Sequence, residues 1–174
     1  MSLDALGNLG DFIGGIAVVV TLIYLAYQVR ANTSALSTGS REAIYAGYRA
    51  QNAHLIDPDV SEAFALGLRH FPHMPDSQKR IFSHTINDHA LFFQGAFALY
   101  EAGTLPLEDY TPYLNWFASQ LATPGGALWW EETCGFYNAA LVDAIDKKFA
   151  EETLPDVLNL GFFALDDVER PKSE

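Results

Sequence analysis

The chain has very little of three things: cysteine, positive charge and strand-like alternation. Cys134 is the single cysteine in 174 residues, so no intrachain disulfide can form, and the chain suits a reducing compartment. No histidine lies close to Cys134 in the sequence, and a small buried apolar side chain is expected there rather than a nucleophile. Lys and Arg total 10 against 22 Asp and Glu, giving a net charge of −12. A nucleic-acid surface needs clustered Lys and Arg to displace counterions from phosphate. No such cluster exists, which excludes nucleic acid and makes anionic headgroups poor partners. The Gly-rich phosphate loop, the Gly-x-Ser-x-Gly elbow and the Walker lysine are also missing. Nucleotide chemistry and the commonest serine hydrolases go with them, and no cofactor is expected.

Charged residues make up 18% of the chain and hydrophobic ones 49%. A soluble domain usually carries about 25% charge, so apolar surface is in excess. Much of that excess sits in "DFIGGIAVVVTLIYLAYQVR", residues 11–30. Between Asp11 and Arg30 the 18 residues from Phe12 to Val29 carry no charge. At 1.5 Å per residue they span about 27 Å as a helix, close to the roughly 30 Å hydrocarbon core. Tyr24 and Tyr27 stand near one end, where aromatic rings favour the interface. The start has acids instead of the basic residues of a cleavable signal peptide. A buried helix of a soluble bundle is the competing reading, because Gly10, Gly14 and Gly15 weaken the helix. The preferred reading is a single membrane span over residues 1–30. Arg30, Arg41 and Arg49 follow it and no Lys or Arg precedes it. Basic flanks stay in the cytoplasm, so the expected orientation is N-terminus out and bulk domain in.

The glycines of this stretch are not scattered. Gly7, Gly10, Gly14, Ala17, Thr21, Tyr24, Gln28, Ala31 and Ala35 follow alternating spacings of three and four. That is a heptad seam, and its first five members are small. Phe12, Ile16, Val19 and Ile23 fall on the opposite side. Small residues let helices approach closely in lipid, and a 3.5 period favours left-handed packing. Gly7, Gly10, Gly14, Ala17, Thr21, Tyr24 and Gln28 are therefore the expected helix–helix interface. A pore with Thr21, Tyr24 and Gln28 facing water is the alternative, and chance clustering of common small residues is the plain one.

Beyond Arg30 no breaker appears before Asp57-Pro58. One helix is expected from Leu3 to Leu55, bent near Asn32-Thr33-Ser34, with Ala35, Leu36, Ala43, Ile44, Tyr48, Gln51 and Leu55 at helical spacing. A short helix over Val60–Leu68 follows, then a loop, "RHFPHMP". Asp76 is placed to cap a helix from Ser77 to Ala102, stopped by Gly103. Its buried face is expected to hold Ile81, Ile86, Leu91, Phe92, Phe97, Ala98 and Leu99. Leu107–Leu121 makes the next helix, closed by "TPGG". Ala127–Phe136 and Ala139–Glu152 follow, the latter with Leu141, Val142, Ile145 and Phe149 inward. Pro155–Leu165 is expected to fold back on the bundle, and residues 166–174 form a polar tail. No segment alternates as a strand would. The fold class is all-α: an N-terminal span and stalk helix running into an irregular bundle over residues 31–165.

The order "VVVTLIYLAYQVRANTSAL", "LIDPDVSEAFALGL", "YEAGTL", "LATPGGALWWEE" and "LVDAI" resembles a widespread group of uncharacterised bacterial proteins. These have one N-terminal transmembrane helix and a helical cytoplasmic domain. The resemblance covers about Leu6 to Ile145, and "YLAYQVRANT" and "PGGALWW" carry it best. It implies the bacterial inner membrane and this fold, with no assigned reaction to carry over. The two histidines of "RHFPHMP" depart from the group's pattern.

Three constellations could hold chemistry. His84 and Asp88 share a helix face at four-residue spacing, with His89 adjacent, and could meet at a metal, joined by Glu101 or Glu131. The Glu-x-x-His pairs of di-iron bundles and the His-Glu-x-x-His zinc helix are both missing. His70 and His73 could bind zinc only with ligands from elsewhere. A satisfied surface or partly buried histidine is the plain reading of all four. Trp129 and Trp130, with Tyr110, Tyr113, Trp116, Phe117, Phe136 and Tyr137, could line an aromatic pocket; core packing is the plainer role, with one tryptophan inward and the other on the surface. The resulting expectation is a non-enzymatic protein of the lipid bilayer that assembles through its N-terminal helix, as a homo-oligomer or as part of a membrane complex. An oligomeric channel, or a helical sensor or enzyme with a site near His84, Asp88 and His89, are its alternatives.

Overall fold

The computed structural model describes residues 3–150, 154–160 and 163. They form six α-helices with short 3-10 turns, and no strand occurs among the described residues. The all-α expectation holds. The chain divides into two compact units, residues 1–39 and 40–174.

Helix α1 runs Leu3–His54 as one continuous helix, as expected. Thr33 Oγ1 donates to the Val29 carbonyl at 3.0 Å, and Thr38 Oγ1 donates to Ser34 in the same way. These i−4 bonds hold polar side chains against the helix they belong to. Among the described residues, those of α1 in the first unit carry an exposed apolar surface. Phe12, Ile13, Val18, Val20, Ile23 and Tyr27 are all more than half exposed, and so are most of their neighbours.

The second unit begins with the last turns of α1. Ser40 and Ile44 are buried, and Tyr48 stacks edge-on against Tyr113. Arg41 Nε donates to Asp109 Oδ2. Ala43, expected at helical spacing with this face, is exposed.

Helix α2 runs Pro58–His70, longer at both ends than expected, because Asp57 caps it: its carboxylate accepts the Asp59 and Val60 N–H groups, and Pro58 fits the first turn. The "RHFPHMP" segment is therefore not all loop. Arg69 and His70 complete α2, and Phe71–His73 form a 3-10 turn. Helix α3 spans Asp76–Glu101. Pro75 is its N-cap residue, and Asp76 lies in the first turn without a capping bond, contrary to the cap expected of it. The helix ends where Gly103 takes φ 69°, the left-handed backbone that favours glycine after a helix. Its inward face also differs from expectation. Phe82, Ile86, His89, Ala90, Phe93, Ala96 and Phe97 are buried, while Leu91 is 52% exposed and Ala98 also faces outward.

Helix α4 spans Leu107–Leu121 as expected. "TPGG" does not close it; it opens α5, Pro124–Thr133. The Thr123 hydroxyl accepts from Gly126 N, and Pro124 fills the first turn. The glycines have a packing cause. A Cβ on Gly125 would lie 1.7 Å from the Gly67 carbonyl oxygen of α2, so the two backbones touch. Helix α6, Ala139–Ala150, buries Leu141 and Ile145. Val157 and Phe163 are buried too, and Arg69 Nη2 donates to the Leu158 carbonyl at 2.8 Å. The described part of the expected fold-back thus packs on the bundle. Leu165 and the tail 166–174 lie outside the described residues.

Candidate functional site

Two features of the molecule could do something beyond holding a fold. The first is the exposed helix. Gly10, Gly14, Ala17, Thr21 and Tyr24 are all exposed, and Gln28 is partly so. A Cβ built on Gly7, Gly10, Gly14 or Gly15 meets nothing within 4 Å. The seam is therefore open along its glycines. Its polar members close on their own helix. Thr21 Oγ1 donates to the Ala17 carbonyl at 2.8 Å, and Gln28 Nε2 donates to Tyr24 Oη at 2.8 Å. The Thr21 hydroxyl and one N–H of Gln28 are thereby satisfied within the helix, which matters where water is scarce.

The second feature is a cleft of about 570 Å³ within the second unit. Its floor is one face of α3, where Arg80, His84 and Asp88 recur every four residues, with Ser77, Thr85 and His89 alongside. Gln51 and His54 from the end of α1 and Val60 from the start of α2 make the walls. The structure thus brings His84, Asp88 and His89 to one place, as their spacing implied. Glu101 and Glu131 do not line it. His70 and His73 are exposed at the end of α2 and in the following turn. Among the described residues no three His, Cys, Asp or Glu side chains converge as metal ligands would.

The members of the cleft differ in state. His84 and Asp88 are exposed. His89 is 4% exposed, and its ring meets Phe64 edge-on. Its Nδ1 lies 2.8 Å from Gln120 Oε1. With the Gln120 oxygen as acceptor, Nδ1 carries the proton and Nε2 keeps a lone pair, and Gln120 Nε2 is buried with no partner among the described residues. Burial pushes the His89 pKa down, against smaller upward pulls from Gln120 and Asp88. Burial thus favours the neutral ring. Gln51 Nε2 donates to the Asp88 carbonyl at 2.8 Å, fixing the α1 wall to the floor. Gln120, fully buried, is the residue that sequence reading missed. The one signal was a Gln amid the apolar run "WFASQLA", where a polar side chain needs a partner.

The aromatic residues pack on one another. Phe93 and Phe117 stack at 4.7 Å, Tyr100 and Tyr110 at 4.8 Å, and Trp130 and Tyr137 at 5.3 Å. Tyr137 Oη also donates to Asn87 Oδ1. Both tryptophans are buried, Trp129 at 3% and Trp130 at 6% exposure, where one was expected outside. Helix α5 is short and covered on more than one side by α2 and α4, so residues about 100° apart are both enclosed. Phe136 is 86% exposed and stands apart from this core. Cys134, just after α5, packs against the core but is only partly buried, where full burial was expected.

Comparison with known protein families, with curated proteins and with solved structures gives no match for this chain.

Proposed function

We propose that the protein is a membrane-anchored helical protein, without enzymatic activity of its own, that assembles through the seam of α1. The homo-oligomer or membrane complex so formed lies in the bacterial inner membrane, with the N-terminus outside and the second unit in the cytoplasm. The observation that carries this reading is the exposure of α1. It is the one helix among the described residues long and apolar enough to cross a membrane, and its most apolar window has no buried residue. Twelve large apolar residues between Phe12 and Val29 are half exposed or more. Covering them is worth on the order of 10 to 20 kcal/mol at 1.5–3 kcal/mol for each full side chain. A helix apolar all round belongs in lipid or inside a larger protein. The three arginines that follow the span support the orientation.

Within lipid the open glycines favour a close-packed partner helix. The internal bonds of Thr21 and Gln28 favour a dry seam over a water-lined pore. The test is the mass of the complex in mild detergent, for the native chain and for a Gly10→Leu, Gly14→Leu double variant. The native chain is expected above monomer mass and the variant at lower mass. Equal masses would remove the seam from the account.

A further inference from the structure

We propose that the cleft on α3 binds a small zwitterion, a molecule with one carboxylate and one amine, such as an amino acid. Arg80 receives the carboxylate, and Asp88 with the free Nε2 of His89 receives the ammonium.

The cleft has the size for it: small-molecule sites run from about 300 to 1,000 Å³, and this one is about 570 Å³. Its charges are separated. Arg80 and Asp88 lie eight residues apart on one face of α3, about 12 Å along the axis, with His84 between them. Among the described residues no ion pair joins the two. The guanidinium matches a carboxylate with paired donors. At the other end the neutral His89 ring is buried, and Gln120 holds its Nδ1. His89 is among the residues that line the cleft, and Nε2 is the ring nitrogen that Gln120 does not hold. A lone pair there and a carboxylate beside it are two acceptors, which suits an ammonium and repels a second carboxylate. Val60 and Ile81 offer apolar contact between the two ends. The whole site lies within the second unit, so it stands or falls apart from any role of α1.

The test is a binding titration on the full chain in detergent, followed by the imidazole resonances of His84 and His89. The probes are the amino acids and 4-aminobutyrate, with succinate and 1,4-diaminobutane as molecules carrying one kind of charge at both ends. Some of the zwitterions are expected to shift the His89 resonance and to bind at least about tenfold more tightly than either control. Arg80→Gln, at an exposed position, is expected to weaken that binding about tenfold or more and leave the fold intact. Asp88→Asn should act likewise. No shift with any zwitterion, equal binding of succinate, or undiminished binding by Arg80→Gln would each overturn the proposal.

Discussion

Replacing Gly125 by alanine should destabilise the second unit far more than one methyl group suggests. The added Cβ would stand 1.7 Å from the Gly67 carbonyl oxygen, 2.9 Å from the Gly67 carbonyl carbon and 3.1 Å from that of Leu68. All three are backbone atoms, so no rotamer change relieves them. Normal contact requires α2 and α5 to separate by roughly 1.5 Å, in an interior packed to crystal-like density. That movement would loosen Phe64 and Leu68 on one side and Trp129 and Trp130 on the other, all buried. Overpacking costs about 1–3 kcal/mol where side chains can give. With backbone on both sides the expected loss is at the top of that range, about 3 kcal/mol, even after alanine's better helix propensity. Gly95 is the control. It lies inside α3, and a Cβ there meets nothing within 4 Å. Gly95→Ala should stabilise by about 0.5–1 kcal/mol. Urea unfolding in micelles, followed by tryptophan fluorescence, reads both; Trp116, Trp129 and Trp130 are the only tryptophans and all lie in α4 and α5. A Gly125→Ala variant as stable as the native chain, or a Gly95→Ala variant equally damaged, would refute the helix-crossing argument.

Other predictions follow from the same structure. Ile44→Ala should cost about 2–4 kcal/mol in the same assay, because Ile44 is 5% exposed against the bundle; a neutral result would mean that the end of α1 does not pack there. His89 has a lowered folded pKa, so its contribution is complete above the unfolded value near 6.5 and is lost as pH falls below it, while the unfolded chain takes up the proton first. Urea midpoints should therefore fall from pH 7 to pH 5.5, and a His89→Gln variant should show a shallower fall. Burial raises the Tyr110 pKa to about 12 and pushes Tyr113 and Tyr137 upward too, so an alkaline absorbance titration should show a late-ionising fraction that Tyr110→Phe diminishes. Val20→Arg places a charge near the middle of the proposed span, which would disfavour insertion by about 2.5 kcal/mol or more; more of the chain should then be released from membranes by carbonate, and no change would argue against a span.

The elements of this fold were legible because their signals are local. The periodicity of residues 3–55, the breakers at Pro58, Pro75 and Pro106, and the stop at Gly103 each act within a few residues. What escaped depends on partners far along the chain. "TPGG" reads as an ending, yet Gly125 is glycine because of Gly67 in another helix. Leu91 and Phe93 look alike in a pattern, but only the neighbouring helices decide that Phe93 is buried and Leu91 is not. The shared location of His84, Asp88 and His89 was visible from their spacing on α3. The walls from Gln51, His54 and Val60 were not, since the turn at Asp57 determines them. The state of His89 was beyond reach without Gln120, a partner 31 positions away.

The central claim is that α1 meets another helix along its small-residue face. The most direct measurement is disulfide cross-linking in membranes, with Cys134→Ala as the background and single cysteines placed from residue 7 to residue 28. The account predicts maxima for Gly10→Cys, Gly14→Cys, Ala17→Cys and Thr21→Cys, and little cross-linking for Phe12→Cys, Ile16→Cys, Val19→Cys and Ile23→Cys. Maxima on the second set, or no periodicity at all, would contradict it.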